Sequence, residues 1–75
     1  MNNDFKGIRN YALDILEYNN IDFIKLFKEK KMNETFQYSM NNITHTYKCT
    51  HAGRYHFLSV KINEDYLLVY TSSYE

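Results

Sequence analysis

The spacing of apolar residues changes once along this chain, near residue 34, and that change limits the folds open to it. Before residue 34, apolar residues recur every three or four positions, as they do on one face of a helix. After it, apolar and polar residues alternate, as along a strand with one buried side. A chain of 75 residues with one such change has room for one helical layer on one sheet.

The first part of the chain predicts a helix over residues 3–18. Asn3 or Asp4 can act as its N-cap, and Asn19 and Asn20 interrupt the pattern at its end. The apolar positions recur at helical spacing, so they should form the face that packs on the sheet. These positions are Phe5, Ile8, Tyr11, Ala12, Ile15 and Leu16.

A second helix is predicted over residues 21–31. Its lysines gather toward the C-terminal end, where positive charge complements the helix dipole. Asn33 is a candidate left-handed C-cap. The predicted apolar face consists of Phe23, Ile24, Leu26 and Phe27.

The alternating part predicts four strands joined by three tight turns. Asn41-Asn42, residues 51–53 and Glu64-Asp65 carry the turn signals. The expected fold class is α+β, with two N-terminal helices packed on one face of a four-stranded antiparallel β-meander. We expect this to be one small domain over residues 1–75. The expected strands are residues 34–40, 43–50, 54–62 and 66–72.

The register of the last hairpin decides which residues face the helices. A loop centred on Glu64-Asp65 would pair Ile62 with Leu67 and Val60 with Val69, and directly opposed residues share a face. This register gathers the aliphatic residues on one side, whereas a three-residue loop would mix aliphatic and aromatic residues on both. The opposite side then carries Tyr55, Phe57, Ser59, Lys61, Tyr66, Leu68 and Tyr70.

Tyrosine is the residue that points to a function. The chain has eight tyrosines, and six of them fall between Tyr38 and Tyr74. Two short helices can cover only one side of the sheet, so some aromatic area should stay exposed as a binding surface. We therefore predict a surface that binds another protein, with a second copy of this chain as an alternative occupant. Its predicted residues are Tyr55, Phe57, Lys61, Tyr66, Leu68 and Tyr70.

The charge balance bears on nucleic-acid binding. Nine basic and nine acidic residues cancel, and phosphate binding usually requires a positive excess. The exposed aromatic rings could nevertheless stack bases, flanked by Lys48, Arg54 and Lys61. Single-stranded nucleic-acid binding is therefore an alternative function, and protein binding is preferred.

Composition also suggests where the protein acts. Cys49 is the only cysteine, the first twenty residues contain no apolar signal core, and no apolar run has a membrane-spanning length. These features predict a cytoplasmic protein.

Abundant Asn, Lys, Ile and Tyr, with no Pro or Trp, indicate a genome of low GC content. Short chains of this kind are typical of phage or mobile-element accessory proteins, so we predict a steric inhibitor of the anti-CRISPR or anti-defence type.

A metal site, a cofactor or a catalytic centre is not expected from the sequence. His45 and Cys49 lie four residues apart on one predicted strand, which separates them by roughly 13 Å. Cys49, His51 and His56 have irregular spacing for a zinc site. No nucleophile with an identifiable base or orienting carboxylate is present. The protein is therefore predicted to be non-enzymatic.

One enzymatic alternative rests on a resemblance. Residues 53–57 (Gly-Arg-Tyr-His-Phe), with the later 67–70 (Leu-Leu-Val-Tyr), resemble the C-terminal half of the RelE/ParE toxin family. The resemblance implies a hairpin that cleaves ribosome-bound mRNA, with Arg54 as the basic residue and His56 or Tyr70 as acid or base. The chain departs from that family because it lacks a strand before the helices and a positive excess. A toxin–antitoxin component is thus a further alternative.

Overall fold

A computed structural model describes residues 5–73 and shows a small α+β fold, as predicted. The sheet order is β1-β2-β3-β4, with every neighbouring pair antiparallel, and both helices precede the sheet and pack against it. The proposed caps Asn3 and Asp4 lie outside the described residues. None of the helices in 5–73 is both long and apolar enough to cross a membrane. The elements are α1 (Phe5–Tyr18), α2 (Phe23–Glu29), β1 (Thr35–Met40), β2 (Ile43–Ala52), β3 (Tyr55–Ile62) and β4 (Asp65–Ser73).

Helix α1 ends where an asparagine adopts the left-handed conformation. Asn20 has φ 60°, and its backbone N–H donates to the Glu17 carbonyl at 3.0 Å. The Ile21 N–H donates to the Leu16 carbonyl at 3.1 Å. This pair of bonds is the Schellman pattern, which satisfies carbonyls that the helix end would leave free. The chain therefore reverses direction here without a glycine.

Helix α2 is shorter than residues 21–31. The Asp22 side chain caps its start by accepting from the Ile24 and Lys25 N–H groups at 3.0 and 3.4 Å. The helix stops at Lys30, whose backbone is extended. Asn33 is left-handed, with φ 65°, but it lies in the turn before β1 rather than at the helix end. Ile24 was predicted on the apolar face, yet it is 63% exposed, so that assignment is wrong.

All three hairpins have two-residue turns. Asn41 and Asn42 have φ 55° and 67°, as a type I′ turn requires, which confirms that turn. The second turn was predicted at residues 51–53 but falls at Gly53-Arg54, because β2 continues to Ala52. Gly53 has φ 61°, a conformation that glycine adopts without steric penalty.

The third hairpin differs from the predicted register by two residues. Ile62 pairs with Asp65 and Val60 pairs with Leu67, because the turn is Asn63-Glu64. Asn63 has φ 58°, a left-handed conformation that asparagine tolerates. A shift of two residues leaves each side chain on its predicted face, so Val60 and Leu67 still face the helices.

A β-bulge in β4 then changes the faces. Ser59 pairs with Leu68, but Leu58 pairs with Tyr70, so Val69 is an extra residue in the ladder. Beyond the bulge, each β4 side chain points to the face opposite the one that uninterrupted alternation from Leu68 would give. Tyr70 therefore shares the face of Leu58, which packs against the helices, and the prediction that Tyr70 lies on the opposite side is wrong.

The core lies between the helices and one side of the sheet, and Tyr47 is at its centre. Tyr47 is fully buried, and its hydroxyl donates to the Ala12 carbonyl of α1 at 2.8 Å. Burial raises the pKa of the Tyr47 hydroxyl above its usual range. The remaining buried apolar residues of this core are Ala12, Leu16, Leu26, Phe27, Cys49, Leu58, Val60 and Val69.

Candidate protein-binding surface

The side of the sheet away from the helices, here called the outer face, is the candidate site. The helices pack on the other side, the inner face, where the buried residues of all the central strands lie. Since opposed residues share a side, the strand pairing assigns each position to one face. The outer face consists of Thr35, Gln37, Ser39, Thr44, Thr46, Lys48, Thr50, Ala52, Tyr55, Phe57, Ser59, Lys61, Tyr66, Leu68, Thr71 and Ser73.

The part of the outer face on β1 and β2 is formed mainly by hydroxyl and amide groups. The Ser39 and Thr44 hydroxyls lie 2.6 Å apart across the two strands. The Gln37 amide Nε2 donates to Thr46 Oγ1 at 3.2 Å. These cross-strand bonds keep the polar side chains close to the sheet, so this half is flat and polar.

The part on β3 and β4 carries the apolar groups. Tyr55 is 51% exposed and Leu68 is 45% exposed. Phe57 is half-buried and lies between them along β3, opposite Thr50 on one side and Thr71 on the other. Exposed aromatic and aliphatic area of this kind is typical of the centre of a protein interface.

A cation–π contact orders the middle of the outer face. The Lys48 ammonium lies 4.0 Å from the centre of the Tyr66 ring, although the two residues are on β2 and β4. Ser59, on the strand between them, pairs with Lys48 and has a side chain small enough to leave room for this contact. Tyr66 is consequently half-buried, so it presents less free aromatic area than the sequence suggests.

The charges of the outer face all have one sign. Lys48 and Lys61 are its two ionised side chains, and none of its described residues is acidic. Arg54 lies in the adjoining turn. Glu64 lies in the other adjoining turn, so the positive charge of this side comes from its strand residues, and an acidic partner surface would complement it.

Five of the six predicted binding residues lie together on the outer face, and one does not. Tyr55, Phe57, Lys61, Tyr66 and Leu68 lie on the outer face of β3 and β4, with Ser59 between Phe57 and Lys61. Tyr70 packs instead on the inner face, with its ring centre 4.2 Å from that of Phe23 in α2. Whether the five outer residues bind a partner stays a prediction.

The sequence prediction of this protein-binding surface omitted the polar half of the outer face. Thr44, Thr46, Lys48 and Thr50 alternate with the buried residues of β2, so the signal was present in the sequence. The predicted surface was defined mainly by its aromatic residues, so it did not include these polar positions. Lys48 in particular matters because it fixes the Tyr66 ring.

The histidines and the cysteine lie on the inner face. Cys49 is buried, and burial raises the pKa of its thiol to about 11. His51 pairs with His56 across β2 and β3, and their rings are stacked 5.2 Å apart. Within residues 5–73, no three His, Cys, Asp or Glu side chains are placed to hold one metal ion.

The residues that carry the toxin resemblance are not gathered at an exposed position. His56 is buried, and its ring centre lies 4.9 Å from that of Phe27 in α2. Tyr70 also packs under α2, with its ring stacked 6.2 Å from Phe27. Arg54 is exposed in the β2–β3 turn. The two candidate acid–base groups thus face the helices rather than a surface open to RNA.

Compared with protein-family models, with curated proteins and with solved structures, the chain has no significant match in any of the three. The class that the structure defines is therefore an architectural one: a small α+β fold with two N-terminal helices on one side of a four-stranded antiparallel sheet.

Proposed function

We propose that this protein acts by binding another protein through the outer face. The proposal rests on the observation that both helices pack on the inner face. Within the described residues, no helix covers the outer face. That face combines Tyr55, Phe57 and Leu68 as apolar groups with Lys48 and Lys61 as charges. An apolar centre with a polar surround is the usual composition of a specific interface.

The specific form of the proposal is a cytoplasmic inhibitor that works by steric occlusion. A standard interface needs about 800 Å² from each partner. The accessible surface of this molecule is 5346 Å², so one face supplies such an area without a second domain. The composition of the chain supports a phage or mobile-element accessory protein, whose target would be a larger host protein of the defence type.

Two double variants test the proposal. Tyr55→Ser with Leu68→Ser removes the two most exposed apolar groups of the outer face. Tyr18→Ser with Ile24→Ser makes the same chemical changes on the helices, where the two residues are 67% and 63% exposed. The tagged chain and both variants are used to capture proteins from a lysate of the bacterial host.

We expect a protein captured by the original chain and by the helix variant, but not by the outer-face variant. Circular dichroism must show that both variants are folded. Equal capture by all three chains, or loss only in the helix variant, would contradict the proposal, since it would place the contact elsewhere.

Single-stranded nucleic acid is a second candidate, favoured by the uniform positive charge of the outer face. Tyr55, Phe57 and Tyr66 supply rings, while Lys48 and Lys61 supply phosphate contacts. Fluorescence anisotropy of a labelled oligothymidylate, titrated at increasing salt, tests this candidate. Binding that weakens steeply with salt supports it, whereas the absence of binding at low salt rejects it.

A further inference from the structure

In each hairpin, the pair of residues that flanks the turn determines which later pairs are hydrogen-bonded. It therefore also determines which backbone N–H and C=O groups point outward from the edges of the sheet. In β1, Met40 pairs with Ile43 across a two-residue turn, so this pair exchanges hydrogen bonds. Hydrogen-bonded and non-bonded pairs then alternate along the strands. The N–H and C=O groups of Thr35, Gln37 and Ser39 consequently point away from β2, toward the open edge of β1.

The β4 edge is protected in two ways. The same alternation directs the Leu68 carbonyl outward, and Arg9 Nε of α1 donates to it at 3.1 Å. The bulge at Val69 follows directly and interrupts the ladder. Bulges and edge-blocking charged side chains are devices that keep a sheet edge from pairing with another strand.

The β1 edge is more open. Asn19 Nδ2 donates to the Ser39 carbonyl at 3.1 Å near the turn, but the outward groups of Thr35 and Gln37 have no such contact from α1 among the described residues. The strand, Thr-Phe-Gln-Tyr-Ser-Met, has no charge and no proline. Its pairing with β2 is regular from end to end, with no bulge to interrupt pairing with another strand.

We propose that β1 is a self-association site, at which two copies pair β1 with β1 in antiparallel fashion about a two-fold axis through Gln37. This arrangement extends the sheet to eight strands and keeps the helices of both copies on one side. Each Gln37 would exchange backbone hydrogen bonds with its counterpart. Thr35 would pair with Ser39 of the second copy, whose carbonyl would accept a second hydrogen bond beside that from Asn19 Nδ2, which gives about six backbone bonds in total.

The side chains of β1 match each other in this register. Thr35 opposite Ser39 places hydroxyl beside hydroxyl on the outer face, as Ser39 and Thr44 already do within one copy. Phe36 opposite Tyr38 places ring beside ring on the inner face, where these two rings already make an edge contact 5.7 Å apart. The strand itself carries no charge, so no like charges oppose each other within the ladder.

The inner side of this edge also has space for a second copy. An open hollow beside β1 is lined by Tyr38 and by mostly polar residues of α2 and of the turn that precedes it. In the proposed pairing, Phe36 of the second copy lies opposite Tyr38 and next to this hollow. The pairing thus adds apolar contact on the inner side to the backbone ladder, and it leaves the apolar half of the outer face, on β3 and β4, free.

Sedimentation velocity over a concentration series tests the pairing. The contact is smaller than a standard interface, so we expect association between about 5 and about 500 µM. The weight-average mass should rise from 9.1 kDa toward twice that value. A constant 9.1 kDa at every concentration would overturn the proposal.

Two lysine variants locate the contact. Gln37→Lys puts two ammonium groups opposite each other at the two-fold axis and should weaken association by about tenfold or more. Thr71→Lys adds the same charge to the same face at the β4 edge and should leave association unchanged, since Thr71 is also exposed. Association that resists Gln37→Lys, or that is lost in Thr71→Lys, would refute pairing through β1.

Amide hydrogen exchange provides a readout specific to the backbone ladder. In the single copy, the N–H groups of Thr35, Gln37 and Ser39 face solvent and should exchange fast, while those of Phe36 and Tyr38 bond to β2. Raising the protein concentration should slow exchange at the first three alone. Concentration-dependent protection centred on Tyr55 or Leu68 instead would assign the contact to the outer face and overturn the proposal.

Discussion

Tyr47 is the residue that connects the helical layer to the sheet. It lies on the second strand, is fully buried, and donates a hydrogen bond to a carbonyl of α1. Its ring also stacks 6.0 Å from Phe36, on the edge strand. Apolar and polar residues alternate along β2, so Tyr47 and its inward-facing neighbours share one side of the sheet. A sequence does not specify which carbonyl a buried hydroxyl reaches, because that depends on how α1 crosses the sheet.

Replacing Tyr47 with Phe isolates this hydrogen bond. We expect a loss of about 1 kcal/mol in the free energy of unfolding, because the ring stays packed while the Ala12 carbonyl keeps only its helical partner. Urea denaturation measures the change. Tyr55→Phe is the matched control, since Tyr55 is half exposed, and it should be neutral within about 0.5 kcal/mol. An equal effect of both changes would show that the buried bond contributes nothing.

Two buried groups, Tyr47 and Cys49, and the half-buried His45 limit the pH range of stability. Burial lowers the pKa of His45 from 6.5, so folding favours its neutral form and stability should fall as the pH drops below 6.5. Burial raises the pKa of Cys49 from 9.0 to about 11. Burial also raises the pKa of Tyr47 above its ordinary value of 10.0. For these two acids the unfolded chain loses its proton first, so stability should decline as the pH rises above 9.0.

Thermal denaturation followed across this pH range tests these directions. The melting temperature should be flat between about pH 6.5 and 9 and should decline on both sides. Cys49→Ala should reduce the slope of the alkaline decline, since it removes one of the two acids. A melting temperature that rises between pH 9.0 and 11 would contradict the assigned burial of Cys49 and Tyr47.

The strands differ in how much of their packing the sequence could predict. In β2, Tyr47 and Cys49 alternate strictly with polar residues, and both are buried, so alternation alone is enough to place them on one face. In β4, residues 67–70 are all apolar, so alternation specifies no face there. The bulge at Val69 falls in this run, which is why the sequence placed Tyr70 on the wrong side.

The corrected position of Tyr70 gives a prediction. Tyr70→Ser should lower the free energy of unfolding by about 2 kcal/mol, because the ring packs against Phe23 and Phe27. Tyr55→Ser, the same change at an exposed position on the outer face of β3, should lower it by no more than about 0.5 kcal/mol. Urea denaturation of the two variants measures the difference. Equal, small effects would mean that β4 has no bulge and that Tyr70 faces outward.

The helices show a similar limit. The periodicity of α1 predicted its buried residues Ala12, Ile15 and Leu16, because four turns of helix define a face well. Helix α2 has only seven residues, too few for spacing alone to specify a face. Phe23, Ile24, Leu26 and Phe27 form a nearly continuous apolar run, and only contact with the sheet determines that Ile24 remains outside.

The molecule as a whole has one covered side and one open side. The sequence predicted one covered and one open face, because two short helices cannot cover both faces of a four-stranded sheet. It did not predict the charge of the open side. The net charge of the chain is zero, but the charged side chains among the described residues of the outer face are Lys48 and Lys61. Which charges share a face depends on the register and on the bulge.

Tyrosine footprinting tests most directly whether the outer face binds the partner. The protein is treated with a tyrosine-modifying reagent, with and without the partner captured from the host lysate, and the modified sites are measured by mass spectrometry. Tyr55 and Tyr18 are 51% and 67% exposed, so both should react in the free protein. We predict that the partner protects Tyr55 and leaves Tyr18 reactive. Protection of Tyr18 with Tyr55 unchanged would contradict the account, because it would place the contact on the helices.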